Sequence, residues 1–302
     1  MKLNNPPVIQ GNQATVQLNR LDLASYQDLI SLRTLPVYDV KGDTVHFPAS
    51  YLENFYQENI KLPLPVTDKL FDYQQVVVRV GFIKERYAIF ADAGLGKTFM
   101  LGELARQIHA ATTGKIILCI PLNILHQFEE MVQEFWPDFP PYEHLHGGKL
   151  TVEEWCHFGE TRIAFVNHEA FIKPQKLKNV EAFLLDEASI LKGGQGGNGK
   201  IAQHIIKSVA QVRFRYAASA TPAPNDRTEY AMLALFLGLV RSEKEFYSMY
   251  FINKDGEYVL RRHATEAFYR YLAFWSIFIR NPASYGFENN LKDLLPWKEI
   301  YV

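Results

Sequence analysis

The sequence predicts an α/β fold, a parallel sheet covered by helices on both faces, and three observations carry that prediction. Short, almost wholly apolar runs recur at residues 87–90, 116–120, 163–166, 182–185 and 214–217. Helical patterns alternate with them, after Thr98 and over 123–135, 199–209 and 226–237. Strands that are apolar on both faces need cover on both, and parallel strands joined by crossover helices supply it. The third observation is the run Ala91-Asp92-Ala93-Gly94-Leu95-Gly96-Lys97-Thr98, which joins the first of these strands to the first helix.

The elements fall into three stretches. Residues 1–65 read as a small α+β appendage: 15–18 and 44–47 alternate like strands, and 21–32 has helical spacing. Pro63 and Pro65 make residues 61–66 an extended connector, since two prolines exclude a regular helix. The α/β lobe occupies 66–240. From 241 to 302 the composition turns aromatic and arginine-rich, as in Arg261-Arg262-His263 and Phe268-Tyr269-Arg270-Tyr271, and it reads as a helical extension. These aromatics recur at helical intervals, which favours packing over stacking on a ligand.

Composition bounds the function. Of the 302 residues 48% are hydrophobic, enough for a sizeable core. The formal net charge of -1 means that any nucleic-acid contact must come from a local surface. Two cysteines exclude a disulfide framework, and Cys119, inside an apolar run, reads as a buried small hydrophobe. No apolar stretch approaches membrane-span length and the N-terminus lacks a signal-peptide core, so a cytoplasmic protein with no membrane partner is expected.

The glycine-rich turn carries the chemistry. A strand, a turn with glycines, Lys-Thr and a helix wrap backbone N–H groups around nucleotide phosphates. Gly94 and Gly96 permit positive φ and close backbone approach. Lys97 is placed to reach the β- and γ-phosphates and the Thr98 hydroxyl to ligate Mg²⁺. Ala91 stands where the usual pattern opens with glycine. A second signal follows at Ala182-Phe183-Leu184-Leu185-Asp186-Glu187, a buried strand that delivers two carboxylates to the same sheet edge. Asp186 can hold Mg²⁺ and Glu187 can orient and deprotonate an attacking water. Acidic residues at a helix N-terminus are the plainer alternative, disfavoured by the phosphate loop upstream.

Six segments in order resemble the first RecA-like lobe of a superfamily 2 helicase or translocase, nearest the Snf2-like (DEAD/DEAH-like) branch of bacterial and phage proteins. They are Phe71-Asp72-Tyr73-Gln74 (Q-motif), 91–98 (motif I), Pro121-Leu122-Asn123 (Ia), Asn167-His168-Glu169 (Ib), Asp186-Glu187-Ala188-Ser189 (II) and Ser219-Ala220-Thr221-Pro222 (III). The resemblance implies an ATPase that couples Mg²⁺-dependent hydrolysis to DNA, rather than RNA. It implies nucleotide contacts from Gln74, which would read adenine, and from Ala93, Gly94, Leu95, Gly96, Lys97, Thr98 and Phe99. Lys97, Asp186 and Glu187 would be catalytic, with Thr98 and Asp186 at the metal. Asn123 and Asn167 would grip the nucleic-acid backbone, and helix capping is the alternative for each. Ser219 and Thr221 would couple motif II to DNA. Ser189 departs from the Asp or His common at that place.

Complete members of this family carry a second RecA-like lobe, and another lobe needs on the order of 150 residues. The chain after Pro222 is shorter than that, and 295–302 resembles the start of the missing lobe. It therefore reads as half a motor that needs a second lobe, in cis or as a separate subunit. The alternative is a non-motor regulatory half that binds nucleotide or DNA with little hydrolysis. Two further patterns are set aside. Gly193-Gly194-Gln195-Gly196-Gly197-Asn198-Gly199-Lys200 lacks a preceding strand and reads as a mobile loop. His144, His146, Cys156 and His157 lack the spacing of common zinc sites.

Overall fold

The computed structural model describes residues 3, 5–19, 25, 28, 29, 32, 35, 38–49, 62–145, 150–192, 197–221, 227–285 and 287. Its centre is a seven-stranded sheet built from β5 (Arg86–Ala91), β6 (Lys115–Cys119), β7 (Tyr142–His144), β8 (Ile163–Val166), β9 (Val180–Leu185), β10 (Phe214–Ser219) and β13 (Ser276–Ile279). The order is β13-β5-β10-β9-β6-β8-β7, with every pair parallel. This is the RecA-like α/β arrangement. Its five inner strands coincide with the apolar runs of the sequence.

Alternation along each strand divides the core in two. Ile89, Ile116, Leu118, Phe165, Ala182, Leu184 and Tyr216 face α1 (Asp72–Lys84), α2 (Lys97–Ala111) and α3 (Leu122–Phe135). Ala88, Phe90, Ile117, Val166, Phe183, Leu185 and Ala217 face the other way. There they meet α4 (Val152–Phe158), α5 (Gly197–Ser208), α6 (Tyr230–Leu237), α7 (Glu243–Tyr250) and α8 (Thr265–Trp275). Burying each of the larger aliphatic and phenylalanine side chains contributes about 1.5–3 kcal/mol, so both helical layers are held by the sheet.

The N-terminal stretch forms a separate antiparallel sheet, β1 (Val8–Gln10), β2 (Gln13–Gln17), β3 (Asp39–Lys41) and β4 (Thr44–Pro48), in the order β1-β2-β4-β3. Ala14, Val16, Val45 and Phe47 turn inward to a small core of their own. Most of the helix expected over 21–32 lies outside the described residues. The connector is extended and strapped to α2: Gln107 bonds both the N–H and the carbonyl of Leu64, and Arg106 Nη1 donates to the Pro65 carbonyl.

The C-terminal stretch contains more than helix. A hairpin, β11 (Phe251–Lys254) and β12 (Glu257–Leu260), precedes α8, and β13 then joins the central sheet beside β5. Of the aromatics on α8, Phe268, Tyr271 and Trp275 are buried against the sheet layer while Tyr269 is 46% exposed. Packing accounts for that aromatic spacing. Gly197–Lys200, expected in a loop, are the first turn of α5, and 193–196 lie outside the described residues. Among the described residues no helix is long and apolar enough to cross a membrane.

Candidate functional site

β5, β10 and β9 are consecutive in the sheet, so the turns that follow them meet at one edge. Neighbouring strands lie about 4.8 Å apart, which puts β5 and β9 roughly 10 Å from each other. The first turn of α2 spans that gap. Thr98 Oγ1 donates to Asp186 Oδ2 at 2.7 Å. Motif III, at the end of β10, lies between them.

Gly94 (φ 80°) and Gly96 (φ 74°) take left-handed backbone conformations in the turn. Lys97 Nζ curls back to the carbonyls of Ala91 at 2.9 Å and Asp92 at 3.2 Å. Burial lowers the pKa of this ammonium, while Asp186, Glu187 and Asp92 pull it upward. Ala93 and Gly94 are exposed and Leu95 is buried. Phe99 packs on Phe135, with ring centroids 4.5 Å apart.

Every polar group of Asp186 is fixed. Its N–H donates to the Cys119 carbonyl at 2.9 Å, and its Oδ1 accepts the Glu187 N–H at 2.9 Å. Its carbonyl faces His168 Nε2 at 3.1 Å. The carboxyl is nearly fully buried, and burial raises its pKa against the opposing pull of the Thr98 and Glu187 hydrogen bonds and of Lys97. Glu187 follows with φ 52°, a left-handed backbone in a non-glycine residue. Such a conformation costs about 1–3 kcal/mol and persists only where surroundings hold it.

Ser219 Oγ lies at a long 3.4 Å from Glu187 Oε1 and accepts the Thr221 N–H at 3.3 Å. Thr221 is in turn bonded by Lys192. Both residues therefore stand against the turn that follows β9, and Pro222 lies outside the described residues. Gln74 is buried on the phosphate loop itself. Its Oε1 accepts the Phe71 N–H at 3.0 Å and its Nε2 donates to the Leu95 carbonyl at 3.1 Å. Asn123 is exposed in the first turn of α3. Asn167 Oδ1 accepts the Ala170 N–H at 3.1 Å, so this side chain caps the turn after β8.

Thus the structure gathers Lys97, Thr98, Asp186, Glu187, Ser219 and Thr221, with Gln74 behind the loop; Asn123 and Asn167 follow β6 and β8 at the same sheet edge. Sequence reasoning missed Lys192 and the contact of His168 with Asp186, since neither spacing signals a partner. It also missed the buried Glu103 on α2, which accepts from Arg106 Nη1 at 3.0 Å, Gln107 Nε2 at 2.6 Å and Trp136 Nε1 at 2.6 Å.

A hydroxyl and a carboxylate side by side are hard oxygen donors, the set that suits Mg²⁺. Among the described residues no group of three or more His, Cys, Asp or Glu could hold a metal. Mg²⁺ is usually held by one or two protein ligands and completes its shell with phosphate and water.

The fold and this edge define a P-loop lobe of RecA type. No protein-family model and no curated protein matches the sequence. Among solved structures it resembles the Sulfolobus solfataricus SWI2/SNF2 ATPase core in complex with dsDNA, with TM-score 0.58 and 20% identity, covering 74% of this chain and 47% of that one. It also resembles the Sulfolobus solfataricus SWI2/SNF2 ATPase core domain, with TM-score 0.59 and 20% identity, covering 80% of this chain and 49% of that one. The chain spans about half the length of these structures. Its fold is the RecA-like α/β fold that it shares with these ATPase cores.

Proposed function

We propose that this chain is the ATP-binding lobe of a nucleic-acid-dependent ATPase of helicase or translocase type. It hydrolyses ATP with Mg²⁺ and works with a second RecA-like lobe, in cis or as a separate subunit. The observation that carries this reading is the 2.7 Å bond from Thr98 to Asp186, made beside Lys97 at the end of the parallel sheet. DNA as the partner is supported by the likeness to a SWI2/SNF2 core solved with dsDNA. The division into an accessory region (1–65), the lobe (66–240) and an extension (241–302) belongs to the same proposal.

In this mechanism the N–H groups of 93–98 and the Lys97 ammonium bind the phosphates. Lys97 exchanges its carbonyl partners for phosphate oxygens, a gain because charge-assisted hydrogen bonds are stronger than neutral ones. Thr98 and Asp186 would hold Mg²⁺, which neutralises charge developing on the phosphates. Glu187 orients the attacking water and takes its proton, and Ser219 steadies its carboxylate. Asn123 and Asn167, at the ends of β6 and β8, contact the nucleic-acid backbone. An arginine from the second lobe would add a factor of about 10³–10⁵ in rate.

The test is ATP turnover by the chain with and without single- and double-stranded DNA, beside Glu187→Gln. DNA-stimulated turnover that disappears in Glu187→Gln is the expected result. Tight ATP binding without turnover under any of these conditions, even with the second lobe supplied, would favour a regulatory binding module. Failure to bind ATP would remove the reading.

A further inference from the structure

The contacts around Glu187 close into a ring. From Glu187 the path runs to Ser219 Oγ at 3.4 Å and on to the Thr221 N–H at 3.3 Å. Lys192 Nζ donates to the Thr221 carbonyl and, at 3.1 Å, to Thr221 Oγ1. Lys192 then returns to Glu187 through the tight turn Ala188–Leu191. Inside that turn the Glu187 carbonyl accepts the Ile190 N–H at 3.3 Å and the Ser189 carbonyl accepts the Lys192 N–H at 3.0 Å. The turns after two adjacent strands, β9 and β10, are thereby fastened together by side chains. None of the six motifs contains Lys192.

We infer that Lys192 is a positioning residue that locks the Glu187 turn to the Thr221 loop, so that the water-orienting carboxylate and motif III move as one body. The inference rests on the proposed hydrolytic reading. Three features support it. Glu187 holds a left-handed backbone, which requires outside restraint to persist. Lys192 bonds Thr221 directly from the Glu187 turn, whereas the Glu187 side chain reaches it only through Ser219. Its chemistry also matches what it meets, because an ammonium has three donors and no acceptor, and Thr221 offers a carbonyl and a hydroxyl. Burial lowers the pKa of this ammonium, and the Glu229 and Glu187 carboxylates oppose that shift only in part. A lysine here supplies direction and countercharge together, and a methionine of similar length supplies neither.

The test compares Lys192→Met and Lys192→Arg with the unaltered chain in three measurements. They are affinity for a fluorescent Mg²⁺·ATP analogue, ATP turnover with double-stranded DNA, and amide exchange at 188–191 and 221. Lys192→Met should keep affinity within about twofold and lose about ten- to a hundredfold in turnover, the pattern of a group that acts after binding. Lys192→Arg should recover most of that loss. Exchange in Lys192→Met should accelerate at both segments together, the mark of two turns released from one lock. Unchanged turnover in Lys192→Met overturns the inference. So does loss of affinity in step with turnover, which would mark a general structural role. If the unaltered chain hydrolyses no ATP even with the second lobe supplied, the hydrolytic reading fails by itself. Exchange then decides the lock: acceleration at both segments upholds it, and acceleration at one or neither overturns it.

Discussion

Gln74 Nε2 occupies the place that a side chain on Gly96 would take: a Cβ built there lies 2.3 Å from it. The phosphate loop is thus supported from behind by a side chain of α1, and it keeps its shape only while position 96 has no side chain. Gly96→Ala should therefore weaken Mg²⁺·ATP binding by tenfold or more, about 1.4 kcal/mol or above, because the loop must shift. It should also destabilise the fold by about 1 kcal/mol through its positive φ. In a Gln74→Ala background the same substitution should lose the clash and retain the φ penalty. Calorimetric titration and thermal melting of the four variants separate the two contributions. Equal costs of Gly96→Ala in both backgrounds would contradict this account.

Lys97 and Glu187 should separate binding from chemistry. Lys97→Ala removes the only cation bonded to the loop carbonyls among the described contacts. It should abolish detectable nucleotide binding. Glu187→Gln keeps size and the left-handed backbone and removes the base. It should leave the affinity unchanged and lower turnover by about 10²–10⁴, the usual contribution of general-base catalysis. Normal ATP binding by Lys97→Ala would dismiss the phosphate-loop assignment.

Glu103 is a stability residue of α2, the helix that carries the loop. It is fully buried and burial raises its carboxyl pKa, yet it accepts from three donors. Removing it leaves the Trp136 N–H without its acceptor and takes from Arg106 one of its two carboxylate partners, Asp138 being the other. Glu103→Ala should cost about 3–5 kcal/mol in urea unfolding, as expected when one member of a buried ion pair is deleted. Trp136→Phe removes one donor and replaces the buried indole by a smaller phenyl ring, and should cost about 1–3 kcal/mol. A loss under about 1 kcal/mol for Glu103→Ala would show that the network is relaxed rather than stabilising.

Asp138 gives a pH dependence of known sign. The hydrogen bond from Arg106 holds its carboxyl below the ordinary 3.8. The folded state therefore releases this proton more readily than the unfolded chain. The stabilisation is complete above about pH 4 and is lost as pH falls through the depressed folded value. Because Asp138 is largely exposed (64%), the increment should stay below about 1 kcal/mol. Melting temperatures measured between about pH 5 and 2 should converge for the parent and Asp138→Asn at the acid end. Curves that stay parallel throughout would remove Asp138 as the cause.

The five inner strands were legible because burial on both faces forces short, almost wholly apolar runs, as at Lys115–Cys119 and Ile163–Val166. β13 was not. Ser276-Ile277-Phe278-Ile279 directly follows the aromatic helix α8, and a four-residue strand leaves no periodicity to distinguish it from one more helical turn. α1 shows the opposite conflict: Val76, Val77 and Val78 favour a strand, but Val77 and Val78 bury against α2 and packing overrides propensity. Thr151 and Glu154 did carry a signal for α4, since they form a capping box. Within the site, the candidate residues on motif positions were proposed from the phosphate-loop pattern and the family resemblance. The contacts of Lys192, His168 and Glu103 could not be read there, because their partners lie on other elements and only the folded chain brings them together.

β13 ends one hydrogen bond from the phosphate loop, where the Ile279 carbonyl accepts the Asp92 N–H at 3.0 Å. A strand paired in parallel along an edge and pulled along its axis is loaded in shear, so its evenly spaced bonds to β5 resist together instead of unzipping one by one. Residues 280–285 leave from this anchorage, and Phe287 reaches Tyr73 at a centroid distance of 6.3 Å. Tension on that segment is thus borne by the strand that carries the nucleotide loop, and the mouth of the site doubles as the mechanical anchor of the chain leaving it.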